Sequence, residues 1–95
     1  MDTEKQTKLN TPIRGATIFS SEALGLKIKS VRLQKKLTQT ALAKLANTRV
    51  ATISQAEKGK ARLDTVFKIL FSLGLCMEIK PNENPTDEEF SLFLD

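Results

Sequence analysis

Apolar residues recur at helical spacing in the segment SSEALGLKIKSVRLQKK, residues 20–36. One face of a 3.6-residue repeat holds Leu24, Ile28 and Val31, which predicts an amphipathic helix. Ser21 is the predicted N-cap, because a serine hydroxyl accepts hydrogen bonds from the free amide groups at a helix start. Leu26 and Leu33 lie off this face. They form either a second apolar row that packs against the N-terminal arm, residues 1–20, or a surface that binds a partner.

The next segment, LTQTALAKLA, predicts a short second helix that ends in a sharp turn. Thr38 is its predicted N-cap. The predicted inward positions are Leu42, Leu45 and Ala46. Asn47 follows the helix, and asparagine tolerates the left-handed backbone conformation that a sharp turn requires.

The segment NTRVATISQAEKGK predicts a third helix with little to bury. Ile53 and Ala56 point to one side, with Val50 a doubtful third, and Gly59 is expected to end the helix. At about 100° per residue, one continuous arc of roughly 160° covers the other side. The arc holds Ser54, Lys58, Ala51, Gln55 and Thr52.

A fourth helix is predicted over residues 63–74, and it is more apolar than a small core requires. Its main stripe holds Val66, Ile69, Leu70 and Leu73. Phe67 and Phe71 widen the stripe, which predicts a subunit interface.

The segment LCMEIKP then alternates apolar and polar residues, which predicts a strand over residues 76–80 that ends at Pro81. A lone strand needs a mate. The mate is either residues 16–19, ATIF, or the same strand of a second subunit. The second subunit is favoured, because strand and helix then share one two-fold interface. Its predicted residues are Phe67, Phe71, Met77 and Ile79.

The chain of 95 residues is therefore predicted to be one small all-α domain of four to five helices with one short C-terminal strand. Residues 1–20 are expected to be a flexible arm, and residues 21–75 form the helical domain. Residues 76–80 form a dimerisation strand. Residues 81–95 form an acidic tail, expected to be disordered alone, whose apolar positions are candidates for docking on a partner. These positions are Phe90, Leu92 and Phe93.

Charge divides the chain in two. Residues 21–62 carry ten bases and two acids, whereas residues 81–95 carry five acids and no base. A basic body with a separate acidic tail predicts a polyanionic partner for the body and a different partner, or none, for the tail.

The composition also argues against several function classes. There is no histidine and one cysteine, Cys76, so the usual zinc-ligand sets and histidine-based catalytic sets are missing. We therefore expect no enzyme activity, no cofactor and no small-molecule substrate. The chain lacks an apolar run of membrane-spanning length and an N-terminal signal core, so we expect a cytoplasmic, nucleoid-associated protein with no membrane partner.

The basic segment thus holds a helix, a tight turn and an outward-facing helix, which is the pattern of a helix-turn-helix. In this motif the second helix lies in the DNA major groove. The segment LTQTALAKLANTRVATISQAEKGK resembles the phage-repressor and Cro-like (XRE) helix-turn-helix family. In that family TQ, LA, a turn residue, IS and E.G recur at fixed offsets. The resemblance implies a lambda-repressor-like fold and an ion pair between Arg32 and Glu57. Asn47 departs from the family's turn glycine, and Thr48 replaces an apolar residue, which either loosens the corner or lets its hydroxyl cap the third helix.

Beyond this motif the chain resembles HipB-type antitoxins of HipA-type kinase toxins. ATIS in the third helix, FKIL.SL in the fourth and the following strand are the shared features. The resemblance implies a homodimer that binds palindromic operators, represses its own operon and forms a complex with a kinase toxin. Two alternatives remain. One is a plain Cro-like or plasmid-type repressor without a toxin. The other is a protein-interaction module without operator recognition.

The predicted DNA contacts follow from side-chain chemistry. Arg49 suits the O6 and N7 acceptors of guanine, Gln55 suits adenine, and Val50 and Ala51 suit thymine methyl groups. The full set of predicted base contacts is Gln39, Arg49, Val50, Ala51, Ser54 and Gln55. The predicted phosphate contacts, which set orientation and affinity without reading sequence, are Thr40, Thr52, Lys58 and Lys60. Gln39 and Arg49 are also open to phosphate contact, and Val50 to a core position.

Overall fold

A computed structural model describes residues 13–82, which fold into four α-helices. The helices are α1 (Ser21–Gln34), α2 (Gln39–Ala46), α3 (Val50–Glu57) and α4 (Leu63–Ser72). The all-α prediction is confirmed for this part of the chain. None of these helices is long and apolar enough to cross a membrane.

Short polar residues set the helix ends. The Thr38 hydroxyl accepts from the Ala41 amide at 3.0 Å, so the predicted cap of α2 is confirmed. The predicted cap of α1 was wrong by one residue. Ser20 has the extended backbone of a cap and accepts from the Ala23 amide at 3.0 Å, whereas Ser21 is already helical. Two adjacent serines offer the same hydroxyl, and the backbone conformation decides between them.

The core lies between all four helices. Its apolar side chains are Ile28, Val31, Leu42, Ala43, Ala46, Ile53, Ala56, Val66, Ile69, Leu70 and Leu73, with Leu24 packed at its edge. The predicted apolar faces of α1, α3 and α4 are confirmed. Leu45 is exposed, however, and its predicted inward position was wrong. The helix α2 turns Ala43 to the core instead.

Helix α3 contacts each of the other three helices. Its C-terminal end approaches α1 so closely that a Cβ atom at Gly25 would lie 2.5 Å from the Glu57 carbonyl oxygen. Gly59, which follows α3 with a φ of 79°, would place a Cβ atom 2.6 Å from the Ser21 carbonyl oxygen. Two glycines therefore allow the end of α3 to lie against the first two turns of α1.

Several apolar side chains remain on the surface of the described chain. Leu26 and Leu33 are exposed, so their predicted packing against the arm is wrong for residues 13–20. Residues 1–12 of the arm lie outside the described residues, so packing against them and the partner surface both stay predictions. In α4, Phe71 is 85% exposed, and Phe67 is about half exposed.

The predicted strand over residues 76–80 is not formed in the single chain. Residues 75–82 have neither helix nor strand, and residues 16–19, the alternative mate, have none either. Pairing within the chain was therefore the wrong alternative. A strand requires ladder hydrogen bonds to a neighbour, so pairing with a second subunit stays a prediction. Met77 is 42% exposed and Ile79 is 99% exposed, which leaves both available.

Candidate nucleic-acid interface

A tight turn sets the angle between α2 and α3. Asn47 has the left-handed conformation, with φ 55° and ψ 49°, as its residue type predicted. The Thr48 amide donates to the Ala43 carbonyl at 2.9 Å and closes the end of α2. Thr48 does not cap α3, because Arg49 occupies the N-cap position and the Thr48 hydroxyl donates to the Arg49 carbonyl at 3.3 Å.

The outer face of α3 is open to solvent. Arg49, Val50, Ala51 and Gln55 are exposed, and Ser54 is half-buried. Ile53 and Ala56 face the core, as predicted. Val50 is 41% exposed, so the alternative that placed it in the core is wrong. The turn and α3 thus present a row of side chains on one side of the domain, as an element that enters a DNA groove requires.

A buried ion pair holds the last residue of α3 against α1. Arg32 Nε lies 2.6 Å from Glu57 Oε2, and Arg32 Nη2 donates to Glu57 Oε1 at 3.2 Å. The two residues are only 7% and 8% exposed. A third donor of the guanidinium, Nη1, donates to the Leu37 carbonyl at 2.9 Å. The same arginine therefore ties together α1, the loop after it and the end of α3.

Gln39 joins this network. Its side-chain Nε2 donates to Glu57 Oε1 at 3.0 Å, across 18 positions of the sequence. A carboxylate only accepts hydrogen bonds, so this contact assigns the amide nitrogen to Glu57. The Gln39 carbonyl oxygen and a second N–H are not used in this hydrogen bond. Glu57 thus orients the amide that the sequence assigned to DNA contact.

The predicted phosphate contacts lie on α2, on α3 and just beyond the end of α3. Thr40 is exposed in the first turn of α2, and Thr52 is half-buried in α3. Lys58 and Lys60 are exposed just beyond the end of α3. Lys60 is held in place by its amide, which donates to the Gln55 carbonyl at 2.9 Å.

The structure also brings together residues that sequence reasoning did not group. An open cleft of about 520 Å³ lies between the α2–α3 turn, the start of α3 and α4. It is lined by Asn47, Thr48, Arg49, Thr52, Thr65 and Lys68. Thr65 and Lys68 lie three residues apart on α4 and so share a face. Only the packing of α4 places them beside the turn, and no sequence motif connects them to it.

Residues 28–74 match a family described as helix-turn-helix. This part of the chain is a helix-turn-helix domain of the XRE type. The match spans the last two turns of α1 through the end of α4, and it includes Arg32, Gln39 and Glu57. Proteins of this family are DNA-binding transcription regulators. A comparison with curated proteins finds no significant match.

The structure describes the predicted dimer-interface residues but not the predicted docking residues of the tail. Phe67, Phe71, Met77 and Ile79 are all exposed in the single helix-turn-helix chain. The proposed docking residues Phe90, Leu92 and Phe93 lie outside the described residues, as do residues 1–12 of the arm.

Proposed function

We propose that this helix-turn-helix protein is a sequence-specific repressor that binds palindromic double-stranded operators as a homodimer. In this proposal it represses its own operon and acts as the antitoxin of a HipA-type kinase. The observation that carries the DNA-binding part is the exposed outer face of α3 beside exposed lysines, in a segment with ten bases and two acids. The outer face supplies direct readout, and the lysines supply sequence-independent attraction.

In the proposed complex, α3 lies in the major groove. Arg49 contacts guanine and Gln55 contacts adenine, while Val50 and Ala51 contact thymine methyl groups. Ser54 and Gln39 complete the base contacts. Thr40, Thr52, Lys58 and Lys60 hold the backbone on both sides of the helix.

Arg49 provides the sharpest test of base reading. Arg49→Ala is expected to weaken binding to the upstream DNA of the chain's own gene by about 1–3 kcal/mol. The preference at one base pair should relax at the same time. The measurement is a binding isotherm on the upstream duplex and on each of its single-base variants, with random DNA of equal length for comparison.

Lys60→Ala is the matched comparison, because it also removes one exposed cation. It is expected to weaken binding to all duplexes alike and to reduce the slope of log K against log salt by about one for each bound subunit. If Arg49→Ala behaved in the same way, with equal losses on upstream and random DNA, Arg49 would be a phosphate contact. If wild-type protein showed no preference for upstream DNA, the interaction-module alternative would be favoured.

The apolar surface of α4 supports the homodimer. Phe67 and Phe71 lie one turn apart on the same side of the helix, and both remain uncovered together with Met77 and Ile79. Exposed aromatic side chains at this density are typical of interfaces. A second copy of the chain would cover them and supply the strand mate for residues 76–80.

Phe71→Glu is expected to convert the full chain from dimer to monomer, because it places a charge at the centre of the proposed interface. Its side chain is 85% exposed, so the single domain should still fold. Leu45→Glu is the control, since it changes an exposed leucine of α2 in the same way. Light scattering with size exclusion gives the mass, and circular dichroism checks the fold. A Phe71→Glu chain of unchanged dimeric mass would place the interface elsewhere.

The antitoxin role is supported by the resemblance to HipB-type chains and by the charge contrast between body and tail. Residues 81–95 carry five acids and no base, with Phe90, Leu92 and Phe93 near the end. To test this role, the full chain and a chain without residues 81–95 are each purified from native cells. The proteins that co-purify are then identified, and the mass of each preparation is measured. A near-stoichiometric kinase in the full-length preparation would support the antitoxin. A mass explained by the chain alone would favour the plain repressor.

A further inference from the structure

We infer that the cleft between the α2–α3 turn and α4 binds a phosphate of the DNA backbone, and that Lys68 and Thr65 are DNA contacts. This inference rests on the proposed DNA binding and extends the interface to a helix that was assigned only to the core and to dimerisation. The ligand class is a phosphodiester.

The chemistry of the lining points to an anion. Each of the six lining side chains can donate a hydrogen bond, and none is an acid. Two of them, Arg49 and Lys68, are cations, and within residues 13–82 neither has an acidic partner. The nearby acid, Asp64, is engaged with Arg62 at 3.5 Å and accepts from the Thr65 amide at 2.8 Å.

The shape of the cleft favours a chain-like ligand. The cleft is wide open to solvent, so one phosphate of a backbone can enter while the strand continues past on both sides. Arg49 and Thr52 belong both to the cleft and to the face of α3 that is proposed to enter the groove. A backbone strand at the edge of that groove therefore passes over the cleft. Lys68 then holds the phosphate from the side of α4.

A contact at this position would fix the rotation of α3 in the groove. The proposed contacts at Lys58 and Lys60 follow the C-terminal end of α3, whereas the cleft lies at its N-terminal end. Backbone contacts at both ends set the register in which the base-reading side chains meet the bases. Lys68 thus acts on affinity for any sequence.

The test compares two lysines that carry the same charge. Lys68→Ala removes the cleft cation, and Lys29→Ala removes an exposed lysine of α1 outside the cleft. Binding of the full chain is measured between 50 and 200 mM salt on upstream DNA and on random DNA. Lys68→Ala is expected to reduce the salt slope by about one for each bound subunit, which is about two for the homodimer on both DNAs. Its loss of affinity is therefore roughly tenfold larger at the lower salt. Lys29→Ala should leave the slope unchanged, and Lys68→Arg should restore it.

Equal slopes for Lys68→Ala and Lys29→Ala would overturn the inference. Should Lys68→Ala fail to fold, Thr65→Val gives the same test through a lost hydroxyl contact, seen as weaker binding to both DNAs. A free anion is distinguished by titrating inorganic phosphate and following the amide signals of Thr48 and Thr65 by NMR. Shifts of those signals with an unchanged salt slope would assign the cleft to a small anion and overturn the DNA contact. If wild-type protein bound upstream and random DNA equally well, the proposed operator binding would be rejected. This outcome does not depend on the salt slope measured for Lys68→Ala.

Discussion

Arg32→Met is expected to lower the free energy of unfolding by about 3–5 kcal/mol, because it leaves the Glu57 carboxylate buried without its partner. Glu57 is 8% exposed, and its side chain would retain only the hydrogen bond from Gln39 among residues 13–82. A single domain is stable by about 5–15 kcal/mol, so a loss of this size removes a large share of the stability. Urea unfolding followed by circular dichroism measures it, with the midpoint and the m-value read separately.

Arg62→Met is the matched control for this loss. Arg62 also pairs with an acid, Asp64, but at 3.5 Å and with side chains 86% and 71% exposed. Exposed pairs contribute about 0–1 kcal/mol, so Arg62→Met should change the unfolding free energy little. If Arg32→Met and Arg62→Met lowered the free energy of unfolding by similar amounts, burial of the Arg32–Glu57 pair would add nothing to stability.

The double variant Arg32→Met with Glu57→Leu distinguishes an ion pair that only stabilises the fold from one that also orients the Gln39 amide. Replacing both partners of a buried pair by apolar residues is often neutral, so the double variant should be more stable than either single variant. The double variant would then regain stability although it lacks the hydrogen bond between Gln39 and Glu57. If DNA binding stayed weak in this stable variant, the role of Glu57 in orienting the Gln39 amide would be supported. Full binding would reduce the pair to a structural one.

The sequence predicts the helices well because their apolar faces are determined by local spacing. Leu24, Ile28 and Val31 repeat at the helical period, and so do Ile53 and Ala56, and all of them pack into or against the core. The left-handed turn at Asn47 also follows from the residue type. The Arg32–Glu57 pair came from the family resemblance, and the structure places the two groups in contact.

Features that depend on how helices rotate against each other were harder to predict. In α2, Leu45 lies about 60° around the helix from Leu42, on the side opposite Ala43. Either rotation gives an apolar face, because Ala43 and Leu45 are both apolar. The structure buries the smaller Ala43 because α2 packs closely on α3 and α4.

Contacts between distant parts of the chain were not predictable from spacing at all. The hydrogen bond from Gln39 to Glu57 spans 18 positions, and the cleft joins Asn47 to Lys68. Neither contact has a local pattern, because each depends on the packing of α3 or α4 against the turn. The sequence therefore identified the outward face of α3 but missed the α4 side of the proposed interface.

Gly25 illustrates the same limit, and it yields the second large prediction. In the sequence Gly25 is only a poor helix former, and Gly→Ala in a helix interior ordinarily stabilises by about 1 kcal/mol. In the structure an added Cβ atom would lie 2.5 Å from the Glu57 carbonyl oxygen and 2.7 Å from that of Ala56. These are backbone atoms, so no side-chain rotation can relieve the overlap.

Gly25→Ala is therefore expected to destabilise the domain by about 1–3 kcal/mol or more, the usual cost of overpacking, despite the better helix former. Gly15→Ala is the control, because nothing lies within 4 Å of its added Cβ atom. It should change stability by less than about 1 kcal/mol, in the stabilising direction. Thermal unfolding of both variants measures these changes in stability. If Gly25→Ala were stabilised, the close approach of α1 and α3 would be absent. Because relief of the overlap must push the end of α3 away from α1, it must also displace Glu57 from Arg32. A loss of DNA affinity beyond the fraction unfolded would then report that the position of α3 depends on this contact.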